Sequence, residues 1–153
     1  MTKKATNEIN LLALDYQICF ALYSTSLALT KTYKPLLEQL NLTYPQYLVM
    51  LVLWEQDDVL VKDIGNVLFL DSGTLTPLLK RLEASGLLIR RRDESDERQV
   101  RIVLTLQGQQ LRKAASTIPP KILCASGQTQ DTLIALRQQL TELREQLHTD
   151  LND

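Results

Sequence analysis

Apolar residues run from Leu11 to Thr32 without glycine or proline, which predicts a long, partly buried helix. Proline disfavours helical geometry in the residue before it, so Lys34-Pro35 is expected to interrupt that helix. A short helix over Pro35 to Leu40 is expected to follow. Thr43-Tyr44-Pro45-Gln46 has the form of a helix start, with Thr43 capping forward, Gln46 reaching back and Pro45 tolerated in the first turn. Leu48, Leu51, Val52 and Trp54 carry that helix to about Glu55.

Val61 to Leu68 predicts a further short helix, and Phe69 to Gly73 a turn. Asp71 or Ser72 can cap a second helix that reaches Ala84. Its Leu75, Leu78, Leu79 and Leu82 fall at helical spacing on one face. Ser72, Thr74, Thr76, Pro77, Lys80 and Arg81 occupy the other face and are short or basic. Pro77 is costly inside a helix, least so if the helix begins near Gly73. Gly86 ends the helix in the left-handed position. Leu87 to Arg90 and Val100 to Leu104 then predict two strands, and the charged stretch from Arg91 to Gln99 is too polar to pack and should project. Helix, turn, helix and basic hairpin is the winged helix-turn-helix order. In it the second helix enters the major groove, and wing arginines reach phosphates or the minor groove.

Thr105 caps another helix to about Ser116. Residues 117–129 contain Pro, Gly and Ser, match no regular pattern and are expected to form a loop holding Cys124. The last helix carries Leu133, Leu136, Leu140, Leu143 and Leu147 in steps of three and four, a seam suited to a partner helix. Packing within one subunit is the other reading of that seam. The expected fold class is mostly α with a small β-hairpin wing. Residues 1–153 form a single domain, 45–104 a DNA-binding lobe, and 8–40 with 117–150 a helical dimerisation region.

Apolar residues make up 44% of the 153, enough for a core. No run of 18 apolar residues occurs, and MTKKATNE lacks the apolar centre of a signal peptide, so no membrane partner and a cytoplasmic location are expected. The net charge of −1 hides an uneven distribution: residues 60–113 hold ten basic against seven acidic side chains. Phosphate binding depends on such local surpluses rather than on the total, although a solvated surface fits them as well.

There are two cysteines. Cys19 lies among Ile18, Phe20, Ala21 and Leu22, while Cys124 follows Pro119-Pro120 and precedes Gly127. In a reducing compartment a thiol pair is more often sensory than structural, and the plainer alternative is two inert, buried hydrophobes. The single histidine, His148, is expected to be exposed in the last helical turn. Two distant cysteines and one histidine make no metal-ligand set, and no cofactor is expected. A thiol peroxidase would want an acid/base cluster around Cys19, which this chain lacks, so an enzyme is not expected.

Asp71-Ser72-Gly73-Thr74-Leu75-Thr76-Pro77-Leu78-Leu79-Lys80-Arg81-Leu82-Glu83, then Gly86-Leu87, Asp96-Glu97-Arg98, Val103-Leu104-Thr105 and Gly108, resembles the MarR family of bacterial winged-helix repressors. Cys19-Phe20-Ala21-Leu22-Tyr23-Ser24, with Tyr33 and Tyr44, is similar to that family's organic hydroperoxide resistance regulators. A second cysteine in the C-terminal half is similar to their two-cysteine subgroup. The resemblance spans residues 13–147 and implies a homodimer that binds double-stranded operator DNA when reduced and leaves it when an organic hydroperoxide oxidises Cys19. It implies that Cys124 of the partner subunit resolves the oxidised sulfur. It also implies that Tyr33 and Tyr44 of the partner subunit steady the Cys19 thiolate, and Tyr23, one turn from the thiol, could assist. Burial alone would raise a thiol's pKa, so such donors are what the chemistry requires.

On the DNA side the resemblance directs Ser72, Thr74, Thr76 and Pro77 to bases and phosphates, with Lys80 and Arg81 nearby, and Arg98, braced by Asp96, to the minor groove. Arg91 and its neighbours Arg90 and Arg92 suit phosphate contacts or a plain solvated strand end equally. The alternative function is a repressor of the same family released by a small phenolic or other ligand, its cysteines incidental.

Overall fold

A computed structural model of the chain describes residues 10–152; the first residues of the expected dimerisation region, and the polar N-terminal stretch, lie outside the described residues. After a single 3-10 turn (Leu14–Tyr16) the chain forms α1 (Ile18–Glu38), α2 (Tyr44–Glu55), β1 (Val59–Leu60), α3 (Val61–Leu68), α4 (Ser72–Ala84), β2 (Leu88–Arg92), β3 (Val100–Leu104), α5 (Leu106–Ala115), α6 (Ile118–Ser126) and α7 (Gln130–Asn152). It is the mostly helical, small-winged fold that the pattern predicts.

The local signals of the central lobe act as their chemistry requires. Thr43 accepts from the Gln46 backbone N–H while its own N–H donates to the Gln46 side chain at 2.9 Å, a closed capping box. Asp71, not Ser72, caps α4, accepting from the Thr74 N–H at 2.8 Å. Gly86 takes φ 75°, the left-handed geometry that ends α4. Leu75, Leu79 and Leu82 on α4 are buried against Met50 and Leu53 of α2, Ile64 of α3 and Leu88 and Ile102 of the sheet. Each such side chain contributes about 1.5–3 kcal/mol on burial, so this cluster fixes α4 on its platform.

Four expectations are corrected. First, α1 does not begin at Leu11 and does not break at Pro35: it starts at Ile18 and runs through the proline to Glu38. Pro35 can only forfeit a bond to the Lys31 carbonyl, and both residues are exposed, so water can replace it. Leu37, which is buried, and the half-buried Tyr33 and Leu36 anchor the helix on both sides of the proline. Second, residues 117–129 are not a loop. Ile118–Ser126 is a helix with proline in its first turn and Gly127 at φ 63° as its stop, so Cys124 is helical. Third, a two-residue strand, β1, was absent from the pattern; it pairs antiparallel with β3, Val59 opposite Ile102, giving the sheet order β1-β3-β2. Fourth, the wing tip does not wholly project. β2 continues to Arg92, paired with Val100, and Asp93 is buried.

Gly108, near the start of α5, permits a close approach that no other residue would. A β-carbon there would stand 2.0 Å from the Leu87 carbonyl oxygen. The Trp54 indole N–H donates to the Gly108 carbonyl at 2.9 Å, so α2, the wing base and α5 meet at this point.

Candidate functional site

The candidate DNA-facing surface is the face of α4 that its buried leucines leave outward. Ser72, Thr74, Pro77, Lys80 and Arg81 are exposed and Thr76 is half-buried. Pro77 lies within α4, where its missing N–H removes the usual i+4 donor to the Gly73 carbonyl. A groove of about 470 Å³ runs between α3, α4 and the wing, bordered by Lys62, Thr76, Arg90 and Arg98.

The wing is held by ion pairs that the sequence pattern did not reveal. Arg101 lies between two carboxylates, donating to Asp58 at 2.7 Å and to Asp93 at 2.9 Å. Asp58 also accepts from Arg91 at 2.8 Å. Asp93 accepts from the Ser95 hydroxyl and from the Asp96 N–H, the latter at 3.0 Å, and so folds the tip back on itself. Asp96 in turn accepts from the Arg98 guanidinium at 3.0 and 3.3 Å, from the Arg98 backbone N–H at 3.1 Å and from the Gln99 side chain at 3.1 Å. The Arg98 side chain is nonetheless 90% exposed. Its guanidinium is thus aimed without being covered, the geometry a groove-entering arginine needs. The other arginines differ. Arg90 is paired with Glu83 at 2.8 Å, Arg91 with Asp58, and Arg92 donates to the Glu97 carbonyl at 3.1 Å. Asp58 would have been hard to find: it sits at φ 56° in a tight turn, and its partners lie more than thirty positions away.

Hydrogen bonds from Ser95 and Arg101 hold the Asp93 carboxyl well below the usual carboxylate range, and those from Arg101 and Arg91 lower Asp58. A depressed carboxylate stabilises the fold above its unfolded pKa, near 4, and that contribution is lost as pH falls through the folded value. The melting temperature should therefore be insensitive to these groups from pH 7 to 5 and fall below about pH 4. Asp93→Asn should melt lower than wild type at pH 7 and lose less on acidification; parallel curves for the two proteins would contradict this account.

The thiol region is built differently. Cys19 lies in the first turn of α1 and is exposed in the single chain, as is Tyr23. Tyr33 and Tyr44 meet with ring centroids 4.9 Å apart, and Tyr47, missed by the sequence reading, joins them at 5.9 and 6.4 Å. Trp54 meets Tyr47 edge-on at 6.5 Å. Burial, with smaller contributions from Tyr44 and Tyr47, pushes the Tyr33 phenol up to about 12. Burial also raises Tyr44, and burial followed by the Tyr44 neighbour raises Tyr47. The three phenols therefore remain protonated at neutral pH and keep an O–H to donate.

The structure does not bring this cluster to the Cys19 of its own chain. Tyr33 lies on the same helix as Cys19 and is about 21 Å further along the axis. Nor does it bring the two thiols together. The first turn of α6 packs beside Leu36 and Leu40 at the far end of α1. Cys19 is about 26 Å up α1 from Leu36, and Cys124 only about 9 Å along α6 from Ile118. An intrachain bridge needs Cα atoms within about 7 Å. Meanwhile Ile18, Leu27 and Leu29 of α1 and Leu136, Leu143 and Leu147 of α7 remain exposed. Among the described residues no three His, Cys, Asp or Glu side chains form a metal site, and no helix is long and apolar enough to cross a membrane.

Residues 31–115 match the family model for the transcriptional regulator SarA/Rot. The organic hydroperoxide resistance transcriptional regulator of Bacillus subtilis (strain 168) is 50% identical over 142 residues, covering 93% of this chain and 97% of its own length. Reduced AbfR bound to DNA, a protein of Staphylococcus epidermidis, is similar at a TM-score of 0.73 and 40% identity, covering 88% of this chain and 93% of that one. The disulfide-formed AbfR is similar at a lower TM-score of 0.61, with 41% identity over 85% of this chain and 91% of that one. The Bacillus subtilis relative is a transcriptional regulator, not an enzyme, and the AbfR structures share the winged architecture described above. The chain belongs to the MarR family of winged-helix transcriptional regulators, in its organic hydroperoxide resistance branch.

Proposed function

We propose that this protein is a homodimeric repressor that binds operator DNA when reduced and is released when an organic hydroperoxide oxidises Cys19. The observation that carries this reading is the separation of parts within one chain. The thiol lies at one end of α1 and a cluster of neutral phenols at the other, about 21 Å away. A second copy, packed through the exposed apolar faces of α1 and α7, can bring Tyr33 and Tyr44 of the partner subunit to Cys19, with Tyr23 one turn away. The AbfR forms support the redox element, since that protein is described reduced on DNA and also disulfide-formed.

In the chemical step the Cys19 thiolate attacks the terminal peroxide oxygen. An S–O bond forms, the O–O bond breaks and the alkoxide leaves, taking up a proton to become the alcohol. Phenol O–H donors stabilise the sulfur anion before attack. The Cys124 thiolate of the partner subunit then attacks the sulfenic sulfur, and hydroxide departs as water with a proton. The balance is one hydroperoxide and two thiols giving alcohol, water and one disulfide. Cys124 has the exposure needed for this role, although it lies on α6 and not in a loop. The bond holds the two sulfurs about 2.05 Å apart, and any movement of α6 and of the partner's α1 needed to reach that distance would be passed to the helices that carry them.

On DNA, α4 presents Ser72, Thr74, Thr76 and Pro77 to the major groove. The Thr and Pro apolar surfaces suit thymine methyls, and Lys80 and Arg81 suit phosphates. Arg98 enters the minor groove from the wing. Arg91, held by Asp58, acts as a wing brace at least as much as a phosphate contact. Two lobes moved away from a spacing of about 34 Å would lose the operator.

The test is a mobility shift with an alkyl hydroperoxide and then dithiothreitol, paired with a non-reducing gel. Wild type should leave the operator, run as a covalent dimer and recover on reduction. Cys124→Ser should form no peroxide-induced covalent dimer; if it does, the pairing with Cys19 is wrong.

A further inference from the structure

We propose that Phe69, clasped by Arg144 and His148 of α7, is a positioning residue that couples the C-terminal helix to the recognition helix and so transmits disulfide formation to the operator contact. This inference rests on the reading above that Cys124 is the resolving thiol.

Phe69 adopts φ 56° and ψ 37°, the left-handed region, as the residue that terminates α3. An aromatic side chain is disfavoured there, because its β-carbon crowds the backbone where glycine or asparagine would not. The ring is also 54% exposed, so burial in the core does not account for it. What meets it is α7. The His148 ring stacks on it with 5.0 Å between centroids and 16° between planes, and the Arg144 guanidinium carbon lies 4.5 Å from its centroid. Arg144 and His148 are four residues apart and thus share one helical face. His148 is therefore exposed, as the sequence suggests, but engaged.

Both ends of this contact lead to functional parts. Two residues beyond Phe69 is Asp71, the cap that fixes where α4 begins. The intervening turn has little slack: the Leu70 N–H donates to the Gly65 carbonyl at 3.0 Å, and a β-carbon on Gly65 would lie 2.8 Å from the Leu70 oxygen. A displacement of Phe69 thus moves the recognition helix instead of being absorbed. At the other end, α7 begins at Gln130, six residues after Cys124 and just past the Gly127 stop. From Gln130 to Asn152 it contains neither glycine nor proline, a rod of about 35 Å. A tilt of about 5° at its start carries its far end by about 3 Å. When Cys124 is drawn to the Cys19 sulfur of the partner subunit, α6 shifts the start of α7, and the Phe69 clasp delivers that tilt to α4. Leu136, Leu143 and Leu147 are exposed in the single chain, whereas Arg144 and His148 of the same helix meet Phe69, so the clasp is a contact between α7 and the turn that leads into α4.

The test measures operator affinity of the full-length protein in its reduced and disulfide forms, by mobility shift, for wild type, Phe69→Ala, Phe69→Tyr and the Arg144→Ala/His148→Ala double variant. A non-reducing gel monitors the disulfide in every sample. Phe69→Ala and the double variant should form the disulfide as wild type does and bind operator when reduced. Their reduced-to-oxidised affinity ratio should be smaller than that of wild type by about tenfold, in the range of ordinary coupling between sites. Phe69→Tyr keeps the ring and should restore the ratio. A merely structural role would lower the melting temperature and both affinities together and leave the ratio unchanged. Arg144 and His148 lie on an exposed face, so the double variant decides the matter if Phe69→Ala does not fold. A wild-type ratio in the double variant, with the disulfide formed, overturns the coupling alone. Wild-type protein that stays on DNA after peroxide overturns the functional reading and this inference with it.

Discussion

Cys19→Ser should bind operator like the reduced wild type and should no longer be released by an alkyl hydroperoxide. The serine oxygen cannot accept the peroxide oxygen to form a sulfenic acid, and without that species Cys124 has no electrophile to attack. Residue 19 lies in the first turn of α1, on a different part of the chain from α4 and the wing, so the substitution should leave the DNA-reading surface as it is. The effect should be large. A disulfide that pulls the lobes off register leaves only sequence-independent attraction, which for specific DNA-binding proteins is about 10³-fold or more weaker than operator binding. Wild type should lose affinity on that order after peroxide and regain it with dithiothreitol, while Cys19→Ser stays level throughout. Release of Cys19→Ser at the same peroxide concentration as wild type would remove the thiol from the mechanism. It would favour a repressor released by a non-oxidant ligand. Tyr33→Phe should lie between these outcomes, retaining the disulfide chemistry but reacting more slowly because one donor to the thiolate is gone.

The winged lobe was legible because its signals are local. A capping box at Thr43, a cap at Asp71 and a glycine stop at Gly86 each act within a few residues of their own position. Pro35 was misleading because the cost of one lost hydrogen bond is local, whereas the burial of Leu37 that outweighs it comes from the rest of the fold. Residues 118–126 carried the right punctuation for a helix, prolines at the start and Gly127 at the end, but too short an apolar pattern to reveal it. The two residues of β1 are a strand only because β3 offers them partners. The same distinction divides the site. Cys19, Tyr33, Tyr44 and Arg98 could be put forward as candidates because motifs and a family resemblance point to them. By contrast, the Asp58-Arg101-Asp93 brace joins residues up to 43 positions apart, and Phe69 meets Arg144 and His148 still further along the chain. No periodicity in the sequence encodes such contacts.

The second large effect belongs to the wing. Arg98→Ala should weaken operator binding by about 1–3 kcal/mol, or roughly 5- to 150-fold, the range for an arginine that makes a specific groove contact. Part of that loss is purely electrostatic: removing one phosphate-neutralising cation should lower the slope of log affinity against log salt by about 0.9. The rest is geometric. Asp96 holds the guanidinium by two hydrogen bonds while leaving the side chain 90% exposed, so little rotamer freedom remains to be lost on binding. Asp96→Asn should therefore also weaken binding, by less, although it removes a negative charge that would otherwise repel DNA. An increase in affinity from Asp96→Asn would mean that its charge matters more than its orienting role. Arg91→Ala provides the contrast, since Arg91 is paired with Asp58 and its loss should act through the wing's stability as well as through phosphate attraction. The decisive comparison is at moderate salt, near 0.15 M, where exposed charges are screened over about 8 Å and groove contacts dominate. Arg98→Ala with wild-type operator affinity under those conditions would take the minor-groove contact away from the wing, and would leave α4 to account for specificity alone.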